Sequence, residues 1–367
     1  MRLLQITASS VWRGHEQQIV YYYDAFDSKI EHQVLICPTE TKLAEIAVSK
    51  NYNVHALPLK SEYSRRWIKK IIQVIKNEKI DLVLIHNSTA HTLCVIASLL
   101  SIKKTPLVFF RTLIKDIATN PLRKWKYNYK HLVKLICVSQ AVIDVLGPSI
   151  KDHSRFTIVG SATNLDDFKR TSKSYKLHDE LGLPRTTQLI ANISAFVPFK
   201  DHYTFIKTVN ILKDKLPNAK FLLIGTGKME DEIKAFTKEL GLENHILFLG
   251  FRNDISEIFA DFDLFLFTSK LEPTGGVLLE AYASHVPIVA TNAAGIPEVV
   301  NHNQTGLLCE KENPESFAEA VLTVLENKEL KEKFIKNGFK HLKENFTKEV
   351  ITEKMREELL KIHKNHS

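Results

Sequence analysis

Residues Lys270 to Pro287 read KLEPTGGVLLEAYASHVP, and the architecture of the chain follows from this stretch and from the run DLFLFTS immediately before it. That run is apolar and aromatic and has the length of a buried strand. After it, Val277, Leu278, Ala281 and Tyr282 recur at helical spacing. The sequence therefore predicts a strand, a glycine turn and a helix in succession.

Gly275 and Gly276 occupy the predicted turn. Because neither has a side chain, a ligand can approach the backbone N–H groups at the helix N-terminus, where an anion is favoured. Glu272 precedes the turn and Glu280 follows it within the helix, so one carboxylate is expected on each side of the bound anion. Carboxylates accept hydrogen bonds from sugar hydroxyls. The pattern is consistent with a phosphate that has a hydroxyl-bearing sugar on either side.

With its continuation VPIVATNAAGIPEVV, this stretch resembles the donor-site signature of family 4 retaining glycosyltransferases, which have the GT-B fold. The resemblance implies an α/β protein with two Rossmann-like domains facing each other across a donor cleft. It implies that Glu280 holds the ribose of a nucleotide sugar, that Glu272 holds the transferred sugar, and that Thr274, Gly275 and Gly276 bind the donor. The expected reaction is front-face sugar transfer with the leaving phosphate as base.

The resemblance also indicates the substrates. The donor is expected to be a UDP- or GDP-type sugar, and the acceptor a cell-envelope glycan or glycolipid, as in lipopolysaccharide or capsule synthesis. No cofactor and no metal ion are expected, since GT-B enzymes hold the diphosphate with amides and cations.

The length of 367 residues predicts two domains, because one ordinary core does not organise so long a chain. We expect an N-terminal acceptor domain over 1–168 and a C-terminal nucleotide-sugar domain over 169–349. The last helix, about 350–367, is expected to pack back on the first domain. A composition with 44% hydrophobic and 25% charged residues is that of a globular protein.

Cysteine usage and the chain's first residues predict a cytoplasmic protein, peripheral to the inner face of the membrane at most. The four cysteines lie in apolar surroundings without a C-x-x-C pair, which is typical of reduced core thiols. The chain opens directly on a strand pattern, without the features of a signal peptide. It contains no uncharged apolar run of the roughly 18 residues that a membrane span requires.

Positive charge is concentrated in the first half. Residues 1–168 contain 23 Lys and Arg against 14 Asp and Glu, a net charge of +9, while the remainder contains 27 against 28. The segments Ser64–Lys79 and Leu122–Lys134 combine basic residues with apolar ones. Such a surface favours anionic lipid or nucleic acid, but it is also typical of covering helices whose charges face water. Given the resemblance, an anionic membrane surface is the expected partner and nucleic acid is not.

The first half alternates short apolar runs with segments long enough for helices, which predicts a parallel Rossmann-like sheet. After the first run stand Gly14 and His15, where the family usually has paired glycines beside the donor diphosphate; the resemblance places both at the donor. His86 ends the run DLVLIH and is expected to contact the acceptor. Arg111 occupies a strand-end position where the family commonly has a histidine near the reacting centre. It is expected to recognise the acceptor or to neutralise phosphate.

In the second half, Lys200 lies where a family lysine contacts the donor phosphates, while the customary arginine five residues earlier is Ala195. Lys200, Glu272 and Arg111 are therefore the candidate catalytic residues. Phe251 and Arg252 match the family segment that lines the nucleotide base.

Two further patterns are weak evidence for a ligand site. The G-x-G of FLLIGTGKMEDE serves packing as often as phosphate binding. The D-x-D of Asp261 and Asp263 leads straight into an apolar strand, so we do not interpret it as a metal site.

Two other functions are compatible with parts of the sequence. A nucleotide-sugar epimerase on the same fold would convert the donor without an acceptor. A basic membrane-binding module without catalysis would explain the charge of the first half, but it would leave EPTGGVLLE unexplained.

Overall fold

The computed structural model describes residues 1–12, 14–27, 29–170 and 172–366. The chain divides into two compact units, one formed by residues 1–162 and those from Lys348 on, the other by 163–347. The first crossing between them, at 162–163, lies a few residues before the predicted boundary at 168. Thr163 N donates to Phe346 O at 2.9 Å, so the two places where the chain changes unit are adjacent.

The first unit contains a seven-stranded parallel sheet. Its strands are β1 (Arg2–Ile6), β2 (His32–Pro38), β3 (Val54–Leu57), β4 (Leu82–Ile85), β5 (Leu107–Arg111), β6 (Leu132–Cys137) and β7 (Phe156–Ile158). They lie in the order β3-β2-β1-β4-β5-β6-β7, the Rossmann order with one additional edge strand. The short apolar runs of the first half form the five central strands. The two outermost, β3 and β7, are short and partly exposed, so they lack the continuous apolar runs of the central strands.

Six helices of this unit connect the strands. They are α1 (Gly14–Phe26), α2 (Lys42–Ser49), α3 (Arg65–Asn77), α4 (Ser88–Leu100), α5 (Pro121–Tyr127) and α6 (Gln140–Leu146). Thr41, Asn87 and Asn120 accept hydrogen bonds from backbone N–H groups at the starts of α2, α4 and α5, as N-cap residues do. The apolar stripe of α3 is buried, with Trp67 fully enclosed, so α3 covers the sheet and turns its basic residues outward.

The second unit contains a six-stranded parallel sheet in the order β10-β9-β8-β11-β12-β13, again the Rossmann order. Its strands are β8 (Gln188–Ile193), β9 (Ala219–Ile224), β10 (Ile246–Gly250), β11 (Leu264–Phe267), β12 (Ile288–Thr291) and β13 (Leu307–Cys309). Alternate residues of β9 belong to separate apolar clusters, Phe221 and Leu223 to one, Leu222 and Ile224 to the other. Both faces of the sheet are therefore covered.

The helices of the second unit follow the same alternation with the strands. They are α7 (Lys176–Leu181), α8 (His202–Leu212), α9 (Glu230–Glu239), α10 (Ile255–Ile258), α11 (Gly276–Ala283), α12 (Pro314–Glu326) and α13 (Lys328–Asn345). The prediction of two Rossmann-like domains is confirmed.

The last helix, α14 (Lys348–His366), belongs to the first unit. It packs on α1, and Ile351, Met355 and Leu359 join the buried core of that unit. The four cysteines are free and buried. Within the described ranges, we find no helix that combines the length and the apolar character needed to cross a bilayer.

Candidate active site

The candidate donor site lies where the connections of the second sheet diverge. Strands β8 and β11 are neighbours there, with Ile190 beside Leu264 and Ala191 beside Phe265. In open parallel sheets, ligands bind outside the carboxyl ends of the strands at such a switch point. The loop after β8 contains a single 3-10 turn, Pro198–Lys200, and the loop after β11 contains Glu272 and the glycine turn.

Hydrogen bonds tie these two loops together. Lys270 N donates to Phe199 O at 2.8 Å, and Ser269 Oγ donates to the same oxygen at 3.1 Å. Thr268 Oγ1 donates to Asp201 O at 3.0 Å. Because bonds on both sides of Lys200 hold its backbone against the end of β11, the lysine is fixed relative to the residues that follow β11.

Lys200 and Glu272 form an ion pair through Nζ and Oε1. Both side chains are largely enclosed, since 16% of the lysine and 9% of the glutamate side chain is exposed. Ser269 Oγ donates to the same carboxylate oxygen at 2.9 Å, and the lysine ammonium lies 5.3 Å from the centre of the Phe267 ring. Two of the three candidate catalytic residues thus lie in direct contact in the second unit.

The two glycines of the turn lie in different environments. Gly275 has a φ of +70°, a left-handed conformation that favours glycine, and a Cβ there would lie 2.9 Å from Leu278 Cδ1. Gly276 begins α11, has no positive φ, and a Cβ added to it would meet no atom within 4 Å. The fold therefore requires glycine at 275, whereas the space beside Gly276 is open to a ligand. Thr274, which precedes the pair, is buried.

Glu280 lies on α11 and is partly buried. Burial, with a smaller contribution from the charge of Asp167, raises the pKa of its carboxyl group to about 7. Among the residues that the structure describes, no donor forms a hydrogen bond with this carboxylate. A ligand hydroxyl that donates to it would stabilise its ionised form.

Two residues that sequence reasoning missed hold Glu272 in place. Ser269 is one, through its hydrogen bond to the carboxylate. Gly295 is the other: its N–H donates to Glu272 O at 2.8 Å, and a Cβ there would lie 1.8 Å from Pro273 O. The glycine of NAAGIPE was the available signal, since a close backbone approach is a recurrent reason for glycine.

A buried polar network positions the loop after β8. Ser194 Oγ donates to Asn192 Oδ1 at 2.7 Å, so it accepts from His202 Nε2 at 2.9 Å. Burial, and then the charge of Lys200, lower the pKa of His202 to about 4. His202 is therefore a neutral structural residue at physiological pH.

Phe251 and Arg252 lie just beyond the end of β10. The Phe251 side chain is 72% exposed. The Arg252 guanidinium forms bidentate contacts with Asp254, at 2.8 Å for both bonds, and also pairs with Glu180. Arg252 is thus committed to protein carboxylates, whereas the ring of Phe251 is exposed.

The two weak patterns of this unit are structural. A Cβ at Gly225 would lie 2.0 Å from Ser194 O, and one at Gly227 would lie 2.3 Å from Phe196 O. Asp261 is fully buried and accepts hydrogen bonds from backbone N–H groups at the start of α7, including Tyr175 N at 2.9 Å and Leu177 N at 3.0 Å. Asp263 pairs with Lys173 at 2.7 Å.

The first unit contains its own pocket of about 230 Å³ at the carboxyl ends of β4 and β5. His15, His86 and Arg111 line it, so the structure brings these three candidates together, whereas Gly14 starts α1 beside them. The rings of His15 and His86 lie 5.9 Å apart, and His86 Nε2 is 3.0 Å from Gln5 Oε1. Burial lowers the pKa of both histidines.

Among the residues that the structure describes, buried polar atoms of this first-unit pocket lack a hydrogen-bond partner. They include Nδ1 of His86 and Nε of Arg111. Arg111 Nη2 donates weakly to Lys115 O at 3.4 Å. Buried polar atoms of this kind usually find a partner, so the pocket is suited to a polar ligand.

The chain resembles known glycosyltransferases. Residues 173–341 match the family model of glycosyl transferases group 1. The chain is 27% identical to N-acetyl-alpha-D-glucosaminyl L-malate synthase of Bacillus anthracis over 315 residues, which cover 84% of this chain and 80% of that protein. It is 27% identical to the lipopolysaccharide core biosynthesis glycosyltransferase LpsE of Rhizobium meliloti over 174 residues, 47% of this chain and 50% of that protein.

Solved structures give the same result for the fold. The crystal structure of Anabaena HepE in complex with UDP and glucose matches with a TM-score of 0.85 at 22% identity, over 98% of this chain and all of that one. The two Rossmann-like units are those of the GT-B fold, and the residues matched by the family model include Lys200, Glu272 and Glu280. These findings show the GT-B fold and a resemblance of the chain to glycosyltransferases.

Proposed function

We propose that this protein is a retaining, metal-independent glycosyltransferase of family 4. It transfers a sugar from a nucleoside-diphosphate sugar to a cell-envelope glycan or glycolipid. The observation that carries the proposal is the grouping, at one edge of the second sheet, of the Lys200–Glu272 pair with the open helix start at Gly276. Glu280 follows in the same helix, and its carboxylate, which accepts no hydrogen bond from the described residues, is suited to the ribose hydroxyls.

The donor occupies this edge of the second unit in the proposed complex. The diphosphate lies against the N–H groups at the start of α11 and against Lys200, and the transferred sugar lies by Glu272. The base stacks on Phe251. The complexes of HepE with UDP and with UDP-glucose support a uridine nucleotide as the first donor to test, with GDP-sugars as the alternative.

The chemistry needs no protein nucleophile in this proposal. The bond between the anomeric carbon and the β-phosphate oxygen breaks, and a bond from the acceptor oxygen to the same carbon forms on the same face. The acceptor proton passes to the leaving phosphate. Negative charge develops on that phosphate, and Lys200 with the amides at the start of α11 stabilises it. Glu272 accepts hydroxyl protons of the sugar in hydrogen bonds and so orients the ring.

The acceptor belongs to the pocket of the first unit. The nitrogens of His86 and Arg111 that have no partner among the described residues suit a hydroxyl-bearing ligand, and Arg111 adds positive charge. The match to LpsE supports a lipopolysaccharide-type glycan as an acceptor to test. An epimerase acts on the donor alone and does not require an acceptor pocket of this kind. A membrane-binding module without catalysis does not require the donor site.

A membrane-surface role is proposed in addition to catalysis. Leu122 and Trp125 on α5 are 76% and 51% exposed, beside the exposed Arg123 and Lys124. Exposed apolar side chains among cations are typical of helices that lie on anionic lipid. The stripe of α3 is enclosed within the first unit and does not provide such a surface.

The test begins with thermal unfolding in the presence of UDP- and GDP-sugars, because a ligand that binds only the native state raises the melting temperature. The stabilising donor is then incubated with lipopolysaccharide core or capsule acceptors in EDTA. The anomeric configuration of the product is read by NMR. Retained configuration supports the proposal, whereas inversion, or conversion of the donor without an acceptor, contradicts it.

A further inference from the structure

A second pocket of about 260 Å³ lies in the first unit between α4 and α5. Ser88, at the N-terminus of α4, lines both this pocket and the one that contains His86 and Arg111. The two pockets are therefore neighbours, and one extended molecule could enter both. The second pocket contains none of the residues assigned so far to the donor or the acceptor.

Lys126 is the unusual residue of this second pocket. It is 7% exposed, and its ammonium donates to Ser88 O at 3.2 Å and to Thr92 Oγ1 at 2.9 Å. Both acceptors are neutral, and within the described ranges no carboxylate forms an ion pair with Lys126. A lysine ammonium has three N–H donors, so one remains for a ligand. Buried charges are normally paired, which makes this lysine a candidate for binding an anion.

The charges around Lys126 are mostly of its own sign. Burial lowers its pKa to about 8; the carboxylate of Glu62 opposes that shift, and the guanidinium groups of Arg123 and Arg111 add to it. Buried His91 also lies close enough for the charge of Lys126 to lower the histidine's pKa. A bound anion would restore the full charge of the lysine.

The lining of the pocket is cationic and apolar, with one carboxylate, that of Glu62. Arg123 contributes an exposed guanidinium, which suits the oxygens of a phosphate. Leu122 and Trp125 contribute apolar surface, and Tyr63, which is 59% exposed, also belongs to the lining. Two cations match the charge of about −1.5 to −2 that a phosphate monoester has near pH 7.

We propose that this pocket is a phosphate subsite of the acceptor, in which Lys126 and Arg123 bind a phosphate group and Leu122 and Trp125 contact the apolar part of the same molecule. That the bound molecule is an acceptor rests on the proposed transferase function. The shared wall at Ser88 gives the reason for the assignment: the acceptor hydroxyl lies in the first pocket while its phosphate lies in the second. The subsite thus selects phosphorylated acceptors.

The experiment measures acylation of individual lysines by mass spectrometry, in the whole protein without donor. Dodecyl phosphate represents a lipid-linked phosphate and glucose 6-phosphate a sugar-linked one; octyl glucoside is the uncharged control. At ten times its Kd, a bound phosphate should slow the acylation of Lys126 about tenfold, since only the free fraction reacts. Lys124, exposed on the same helix, should react at an unchanged rate. Protection by dodecyl phosphate alone indicates a lipid-linked source, and protection by both ligands indicates that the phosphate suffices.

Variants provide the second readout. Lys126→Met should abolish phosphate binding measured by calorimetry, Lys126→Arg should retain it, and Lys124→Met should leave it unchanged. The melting temperature and the circular dichroism spectrum of each variant check that the first unit, which contains Lys126 and Lys124, is folded. The inference is overturned if the phosphate ligands do not slow the acylation of Lys126 and if Lys126→Met binds phosphate as tightly as the wild type. If sugar transfer occurs with an unchanged acceptor KM in Lys126→Met, the inference fails and the proposed function stands; if Lys126 is protected but no sugar is transferred, the proposed function fails and the phosphate site stands.

Discussion

Lys200 and Glu272, 72 residues apart in the chain, neutralise each other at the carboxyl edge of the second sheet. The pair is largely enclosed. It matters for stability mainly because removing either partner would leave the other charge buried and unpaired. A diphosphate that binds Lys200 competes with Glu272 for the ammonium. Sugar hydroxyls that donate hydrogen bonds to Glu272 then replace the interaction that its carboxylate loses when Lys200 binds the diphosphate.

We expect Lys200→Met to lower kcat by roughly 10²- to 10³-fold, the scale for losing one preorganised stabiliser of a developing charge. Nucleotide affinity should fall less, because the charge on the phosphate is greatest in the transition state. Steady-state kinetics with the identified donor measures both. An unchanged kcat with a raised KM would make Lys200 a binding contact only. Arginine introduced at the exposed Ala195 of the variant should restore part of the rate.

The same substitution should also destabilise the fold, by about 3–5 kcal/mol, because it leaves Glu272 enclosed without its partner. The double variant Lys200→Met/Glu272→Gln should recover most of this loss in chemical denaturation while kcat remains low. This double variant separates folding from catalysis. A double variant as unstable as the single one would contradict the pairing as the cause.

The glycine turn offers a matched pair of substitutions. Gly276→Ala should leave the free energy of unfolding unchanged or slightly raised, because a Cβ there meets no atom within 4 Å. It should nevertheless weaken binding of nucleoside diphosphate, since the methyl group occupies the phosphate approach. Gly275→Ala should instead destabilise the protein, given its φ of +70° and the contact with Leu278. Calorimetric titration and thermal unfolding of both variants provide the test; equal nucleotide affinity in Gly276→Ala would move the phosphate elsewhere.

Glu280→Gln should weaken nucleotide binding by roughly 1.5–3 kcal/mol, the range for hydrogen bonds to charged groups. The wild-type affinity should rise with pH up to about 7, where the free carboxyl group loses its proton. Below that pH, affinity should fall by up to about tenfold per unit, as protons compete with the ribose hydroxyls. Isothermal titration from pH 5.5 to 8.5 measures the slope, and the Gln variant should show none of it.

Glu280 should also reduce stability at neutral and alkaline pH. Its folded-state pKa of about 7 lies above the usual glutamate value of 4.5, so the folded state binds the proton more tightly. The wild type therefore loses stability as pH rises from about 4.5 to 7, by up to about 3 kcal/mol. Glu280→Gln should be more stable than the wild type at pH 8 and closer to it at pH 5. Denaturation midpoints at the two pH values measure the difference.

Activity should survive chelation by EDTA, because the amides and Lys200 are proposed to hold the diphosphate. Asp261 is engaged with the backbone at the start of α7, so Asp261→Asn should lower the melting temperature and leave nucleotide affinity in EDTA unchanged. Complete loss of activity in EDTA, with recovery on adding Mn²⁺, would contradict the metal-independent proposal.

The order of strands and helices was predictable because each central strand is a short apolar run between turn residues, as in LVLI of β4. Edge strands such as β7 lack this signal, since part of their surface faces water. The local pattern around Glu272 also predicts which residues bind the donor, and this stays a prediction. The pairing of Lys200 with Glu272 could not be predicted in this way, because their contact depends on two loops that the sheet brings together.

The burial of Lys126 could not be predicted from the sequence for a related reason. In the sequence, LRKWKYNYKHLVK reads as a cationic, solvated segment in which no lysine differs from another. The fold encloses Lys126 against Ser88 and Thr92 and leaves Lys124 exposed. Burial of one lysine among several depends on packing against α4, which spacing along the chain does not report.

The position of α14 sets an order on the protein's synthesis. The core of the first unit includes Ile351, Met355 and Leu359, which leave the ribosome only after the whole of the second unit, 163–347, has been made. Until α14 is made, the apolar face of α1 in the nascent first unit is therefore uncovered. By then, every residue of the buried cores of the second unit has been synthesised. Translation that terminates early, within residues 348–366, would release a chain whose second unit is complete. Its first unit would expose the apolar face of α1, which chaperones bind.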